Sequence, residues 1–173
     1  MNIQTLTGTA SYQGDAIGSF VATDERLDNP EGQPTGVFTA VVNLEANFDA
    51  GVDGMGTISG RVHTPTLFNS AGDLLTFKDS NKPVPSPITT LELGEAAITE
   101  NAGGFFTGDT RGTDIYDGQG YSGQWGGEFF GKDETSHPEG VGGTFGGSKE
   151  DGTVTLIGAF GTYQQSSTPS STP

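Results

Sequence analysis

Glycine alternates with large aromatic rings through the last third of the chain. The runs are Gly123 to Gly131 (GQWGGEFFG), His137 to Gly147 (HPEGVGGTFGG) and Ile157 to Tyr163 (IGAFGTY). Most of the 29 glycines lie between Gly94 and Gly161, interleaved with Phe105, Tyr121, Trp125, Phe129, Phe145 and Phe160. Glycine at this density is a mark of low complexity when it has no period, but here the large rings recur at the strand period of two. The interior of a small closed barrel is narrow, so an inward ring leaves room only for a small neighbour. Glycine within a strand also permits the bends that closure requires. The pattern therefore describes barrel walls, and it carries no chemistry of its own.

The clearest strand is VFTAVVNLEANF, Val37 to Phe48. Phe38, Ala40, Val42, Leu44, Ala46 and Phe48 share one face, and Thr39, Asn43, Glu45 and Asn47 share the other. Strict alternation of this kind marks an antiparallel strand with one face wet. Asp49 to Gly54 (DAGVDG) reads as a turn, and Gly56 to Val62 returns with Ile58 and Val62 inward. Thr9 to Val21 is a strand upstream. Downstream come a short strand at Leu74 to Phe77, a proline-bearing crossing at Lys82 to Pro87, and Ile88 to Leu93 leading to Ala96–Ile98. Phe105 to Thr110, Gly120 to Phe130, Val141 to Gly147 and Val154 to Tyr163 complete the set. Helical periodicity is absent beyond at most one turn, near Glu95 or Leu67. The fold expected is all-β, one antiparallel up-and-down barrel of about eight strands filled by its own side chains. Residues 1–163 form the barrel domain in this reading. Residues 164–173 (QQSSTPSSTP) form a Ser/Thr/Pro linker or tail.

Three groups of motifs also carry a family resemblance. They are Gly-x-Trp-x-Gly-x-Phe-Phe-Gly from Gly123, His-Pro-Glu-x-Val-Gly-Gly-Thr-Phe from His137, and Ile-Gly-Ala-Phe-Gly from Ile157. Ala10 to Gly18, Ala46 to Asp49 and Ile58 to Val62 fall in matching order upstream, so the likeness spans roughly Thr7 to Tyr163. The chain resembles the barrel domains of transferrin-binding protein B and of the wider group of bacterial surface lipoproteins and secreted haem scavengers. That resemblance implies a bacterial cell-surface, outer-membrane or secreted protein and a binding role without catalysis. It says little about the ligand, because such barrels bind through loops that vary freely.

Charge narrows the partners. Twenty-two acidic residues face seven basic ones, for a net charge of −15. So acidic a surface repels phosphate backbones and anionic headgroups, which argues against nucleic acid and membrane surfaces. It also favours a soluble monomer. No apolar run reaches the ~18 residues of a spanning helix. With no cysteine, this sequence offers no disulfide, thiolate metal site, cysteine nucleophile or lipid-bearing cysteine. Met1-Asn2-Ile3 opens no signal peptide, so any export signal is expected outside this chain.

Several residues invite a chemical reading. Gly118 to Gly123 spells G-x-G-x-x-G, but it runs into a strand, whereas phosphate binding needs a helix N-terminus. His63 and His137 are candidate haem or metal ligands. His63 is expected at a strand end pointing outward, and His137 is expected to bend or cap its loop. Asp109, Asp114 and Asp117, and separately Asp49 and Asp53, are candidate calcium or acid–base carboxylates. They lack EF-hand spacing and are expected to be solvated turn residues. Trp125 is expected to plug the interior with Tyr121 and Phe129, and Phe130 to face outward. No catalytic, cofactor or metal residue is assigned, and no cofactor is expected. An unidentified protein partner is expected on the longer loops, taken as Thr23 to Thr35, Thr64 to Asn69, Asp79 to Pro87 and Asp109 to Tyr116. The alternatives are haem or another small ligand in the barrel mouth, and a purely structural display domain.

Overall fold

A computed structural model describes residues 6–23, 35–49, 56–84, 90–99, 104–115, 117–131 and 137–165. Eight strands follow one another: β1 (Thr9–Ala22), β2 (Thr35–Asn47), β3 (Thr57–Asn69), β4 (Thr90–Ala97), β5 (Phe106–Thr113), β6 (Gly120–Phe130), β7 (Gly140–Lys149) and β8 (Val154–Gln164). Each pairs antiparallel with the next, and β8 returns to β1, with Ala16 opposite Phe160. The all-β closed barrel is as the alternation predicts, and it contains no helix among the described residues. The single turn allowed near Glu95 or Leu67 is not formed: Leu67 lies in β3 and Glu95 in β4.

Closure removes both sheet edges and turns alternate residues of every strand inward. On β2 the six residues Phe38 to Phe48 of the apolar face are all buried. On β6 Tyr121, Trp125 and Phe129 point in, at 2%, 3% and 3% exposure, and Phe130 points out. The rings form a continuous string through the interior. Phe48 and Tyr12 meet Phe129; Phe129 meets Phe106; Phe106 lies 5.0 Å from Trp125; and Trp125 leads through Phe160 and Phe145 to Phe38. Phe106, not Phe105, supplies the ring from β5; Phe105 is exposed. Two inward threonines bond to the walls: Thr110 Oγ1 donates to the Gly146 carbonyl at 2.6 Å, and Thr162 Oγ1 to the Val141 carbonyl at 3.0 Å; the buried Tyr12 hydroxyl makes no such bond.

Two irregularities set the register. Opposite Ala40, between the Thr39–Thr66 and Val41–His63 pairs, β3 carries two residues, Thr64 and Pro65. A bulge is where a strand tolerates proline, which cannot donate to the ladder. This corrects two expectations. Thr64 to Asn69 is not a loop but the second half of β3, and His63 lies within the strand, not at its end. In β4 an extra residue falls between the Ile58–Ala96 and Gly60–Leu93 pairs. Leu91 and Leu93 face inward before it and Ala96 and Ile98 after it. The bulge also presents the Gly94 carbonyl to the core, where it accepts the Trp125 indole N–H at 2.9 Å.

Glycine permits close approach beneath the rings. A Cβ on Gly143 would come within 2.3 Å of the Gly126 carbonyl oxygen and 2.7 Å of the Phe160 ring. The backbone atom cannot move aside without opening the β6–β7 ladder. Gly143→Ala is therefore expected to cost about 1–3 kcal/mol by overpacking, read as a lower urea midpoint at unchanged slope. An unchanged midpoint would place Gly143 away from that wall.

Candidate functional site

One rim of the barrel joins β1 to β2, β3 to β4, β5 to β6 and β7 to β8, and is called here the upper rim. The lower rim carries the other connections. Three of the four segments expected to be binding loops belong to connections on the upper rim, and the fourth, Thr64 to Asn69, runs up to it as strand. The segment Thr23 to Thr35 lies outside the described residues between 24 and 34, and Asp79 to Pro87 between 85 and 87. Asp109 to Tyr116 divides differently from expectation: Asp109 to Thr113 is β5, Asp114 and Ile115 begin the turn, and Tyr116 lies outside the described residues.

The segment 70–84 folds down onto the rim. Asn69 starts it by accepting the Ala71 and Asp73 amides on its side-chain oxygen, at 3.0 and 2.9 Å. The Leu75 amide donates to the Leu67 carbonyl and the Val84 amide to the Leu75 carbonyl. Leu75 is buried in the core, while Leu74 stands out at 44% exposure. The strand expected at Leu74 to Phe77 is reduced to isolated bridges, Phe68 with Leu74 and Thr76 with Pro83. Across the same rim, Ile115 is exposed at 51%.

Beside that turn sits a charge cluster that the sequence does not announce. Lys149, at the end of β7, is only 9% exposed. Its Nζ lies 3.2 Å from Asp114 Oδ2 and 3.7 Å from Asp151 Oδ2, and it donates to Asp117 Oδ2. Asp114 is 4% exposed and accepts the Tyr121 hydroxyl at 3.4 Å. Asp114 is thus not a solvated turn residue: an inward lysine holds it inside the mouth. Asp109, outward on β5, takes no part in this cluster. The hydrogen bond from Lys149 holds the Asp117 carboxyl below the usual carboxylate range. The Thr153 hydroxyl and amide do the same for Asp151. Lys149 is held above the ordinary lysine value, chiefly by Asp117. Burial, reinforced by Asp114, drives the Tyr121 phenol far above its normal range.

The signs fix the pH dependence. Asp117 and Asp151 contribute stability that is present above about pH 4 and lost as the pH falls through their lowered folded values. Lys149 contributes below its ordinary value and loses that contribution as the pH rises through its raised one. A melting-temperature profile should therefore fall below about pH 4 and again at strongly alkaline pH. Lys149→Met should flatten the acid limb. An acid limb that is the same in the variant would remove Lys149 from the linkage.

The histidines lie apart. His63 faces outward from the middle of β3, with Nδ1 3.5 Å from Thr90 Oγ1. His137 is at the lower rim, stacked on Phe48 at 5.2 Å and 17°, with Nε2 donating to the Thr7 carbonyl at 2.8 Å. Asp49, also at the lower rim, accepts the Gly8 amide at 2.8 Å; Asp53 lies outside the described residues. The G-x-G-x-x-G of Gly118 to Gly123 enters β6 without a helix. Among the described residues no three His, Asp or Glu side chains converge to hold a metal ion.

No known protein family and no curated protein matches the sequence. Among solved structures, the chain is similar to a mutant of the vaccine antigen transferrin-binding protein B from Haemophilus parasuis Hp5, at 18% identity and a TM-score of 0.49. The match covers 93% of this chain and 27% of that one, and at this identity it is a likeness of the barrel fold.

Proposed function

We propose that this chain is a non-enzymatic binding barrel of a bacterial cell-surface or secreted protein, and that it engages a protein partner through its upper rim. The observation that carries this reading is the pair of exposed aliphatic side chains, Leu74 and Ile115, on turns of one rim. On the connections of the same rim, among the described residues, Asp73, Asp79, Asp117, Glu150 and Asp151 outnumber Lys78 and Lys82. Apolar points within a charged surround are the usual make-up of an interface centre and its rim. The excess of acid favours a partner with a basic face. The interior supports the same conclusion, because the string of aromatic rings occupies the space in which an eight-stranded barrel would hold a small ligand.

The test immobilises the whole chain beside a Leu74→Lys/Ile115→Lys variant and passes host serum proteins over both. Transferrin is among them, since the similar barrel belongs to a protein named for binding it. Both substitutions sit on exposed turns, so the variant keeps its fold. Retention on the unaltered chain that falls at least tenfold on the variant supports the rim. Equal retention on both surfaces, or none on either, overturns it.

A further inference from the structure

Charge is unevenly distributed over the outer wall. Among the described residues, Asp15 and Glu45 alone carry charge outward from β7, β8, β1 and β2. From β3 to β6 the wall exposes Arg61, Glu92, Glu95, Asp109, Arg111 and Glu128. The charge-poor wall is also the aliphatic one. Ile17 and Ile157 are each 64% exposed, with Val21 at 43%, Val37 at 39% and Val41 at 38%.

The register brings these side chains together. Ser19 on β1 stands opposite Val37 on one side and Ile157 on the other. Ile17, two residues back, stands opposite Thr39 and Ala159, so its diagonal neighbours are Val37, Val41 and Ile157. Beside this ridge lies a shallow depression lined by Asp15, Ile17, Thr39, Val41, Ala159 and Gly161. A Cβ added at Gly161 would meet nothing within 4 Å. The wall therefore carries both a projecting aliphatic ridge and an open hollow next to it.

We infer that this wall is a contact between two copies of the chain. The acidity alone suggests a monomer; the placement of the acids points the other way. A basic partner would be drawn to acids, and this wall offers it almost none. For another molecule carrying −15, a wall with only Asp15 and Glu45 sets fewer acids against each other than the four acids on β3 to β6 would. A twofold contact needs one self-complementary surface, and a ridge beside a hollow supplies it. The ridge lies on three adjacent strands, β8, β1 and β2. Spaced ~4.8 Å apart with residues rising ~3.3 Å each, they present about 15 Å by 35 Å, on the order of 500 Å² per partner, the size of a weak, reversible interface.

Salt separates this contact from an ionic one. The mutual repulsion of two acidic copies is screened as the Debye length shrinks from ~30 Å at 0.01 M to ~8 Å at 0.15 M salt, whereas apolar burial is untouched or strengthened. Sedimentation equilibrium of the whole chain should show a monomer–dimer equilibrium that tightens at least tenfold from 10 mM to 500 mM sodium chloride. Ile17→Lys and Ile157→Lys lower the net negative charge and so ease the repulsion, yet each should weaken the dimer by about a hundredfold, since each removes two buried isoleucines per dimer. Gln124→Lys, on the opposite wall, makes the same charge change and should leave the dimer intact or tighter. Native tryptophan emission in all three variants would exclude misfolding as the cause. A chain that stays monomeric to 1 mM in 500 mM salt overturns the inference. So does a dimer that loosens with salt, or one that both isoleucine variants leave unchanged.

Discussion

Replacing Trp125 with alanine should cost roughly 3–5 kcal/mol, the range for a large buried ring. For a domain of this size that is a fall in melting temperature on the order of 10 °C. The indole is 3% exposed, lies 5.0 Å from Phe106 and 6.5 Å from Phe160, and donates to the Gly94 carbonyl turned in by the β4 bulge. Truncation removes the centre of the ring string and leaves that carbonyl without its donor. The adjoining walls are glycine-rich strands that carry little side chain to collapse into the gap, which places the effect high in the range. Trp125→Phe keeps most of the volume and loses only the donor, so it should cost about 1–2 kcal/mol. Equal losses in the two variants would mean that the ring is not packed in the core.

The second large effect belongs to Lys149. Lys149→Met fits an aliphatic chain of similar length but removes the cation from Asp114, which is 4% exposed. Breaking a buried pair from one side leaves an uncompensated charge and costs ~3–5 kcal/mol. Removing both charges together, in Lys149→Met/Asp114→Asn, should recover most of the loss, because the double replacement leaves no buried ion. The Tyr121 hydroxyl still finds an oxygen on asparagine. Chemical denaturation of the two single variants and the double variant measures the coupling directly. Additive losses would show that Lys149 and Asp114 do not act as a pair.

The fold was legible where side chains alternate in size. Phe38 to Phe48 and Tyr121 to Phe129 display the inner face in the sequence, and both strands sit as read. Legibility failed where the inward residue is small or polar. β5 presents only Phe106 and Thr110 to the core, so the strand reads as ending at Thr110 and Arg111 to Thr113 read as loop. Its two adjacent phenylalanines give no sign of which one turns in. Pro65 ends a strand by the ordinary rule, but a bulge spanning it lets β3 continue to Asn69. Lys149 was the residue the sequence reading missed at the upper rim. An inward lysine at the last position of a strand looks like a solvated strand end until the fold brings Asp114, Asp117 and Asp151 around it. Strand parity gave the only available signal, since Val141, Phe145 and Lys149 are spaced four apart on one face.

What this chain can bind depends on whether its interior is full. Haemin titration followed by both Soret absorbance and Trp125 emission tests that most directly, because the single tryptophan lies in the string of rings and a haem inside the barrel would quench it. A filled barrel that binds through its exterior predicts no specific Soret band, no saturable quenching, and identical behaviour in His63→Ala and His137→Ala. A stoichiometric Soret shift with saturable loss of Trp125 emission, abolished in either histidine variant, would contradict it.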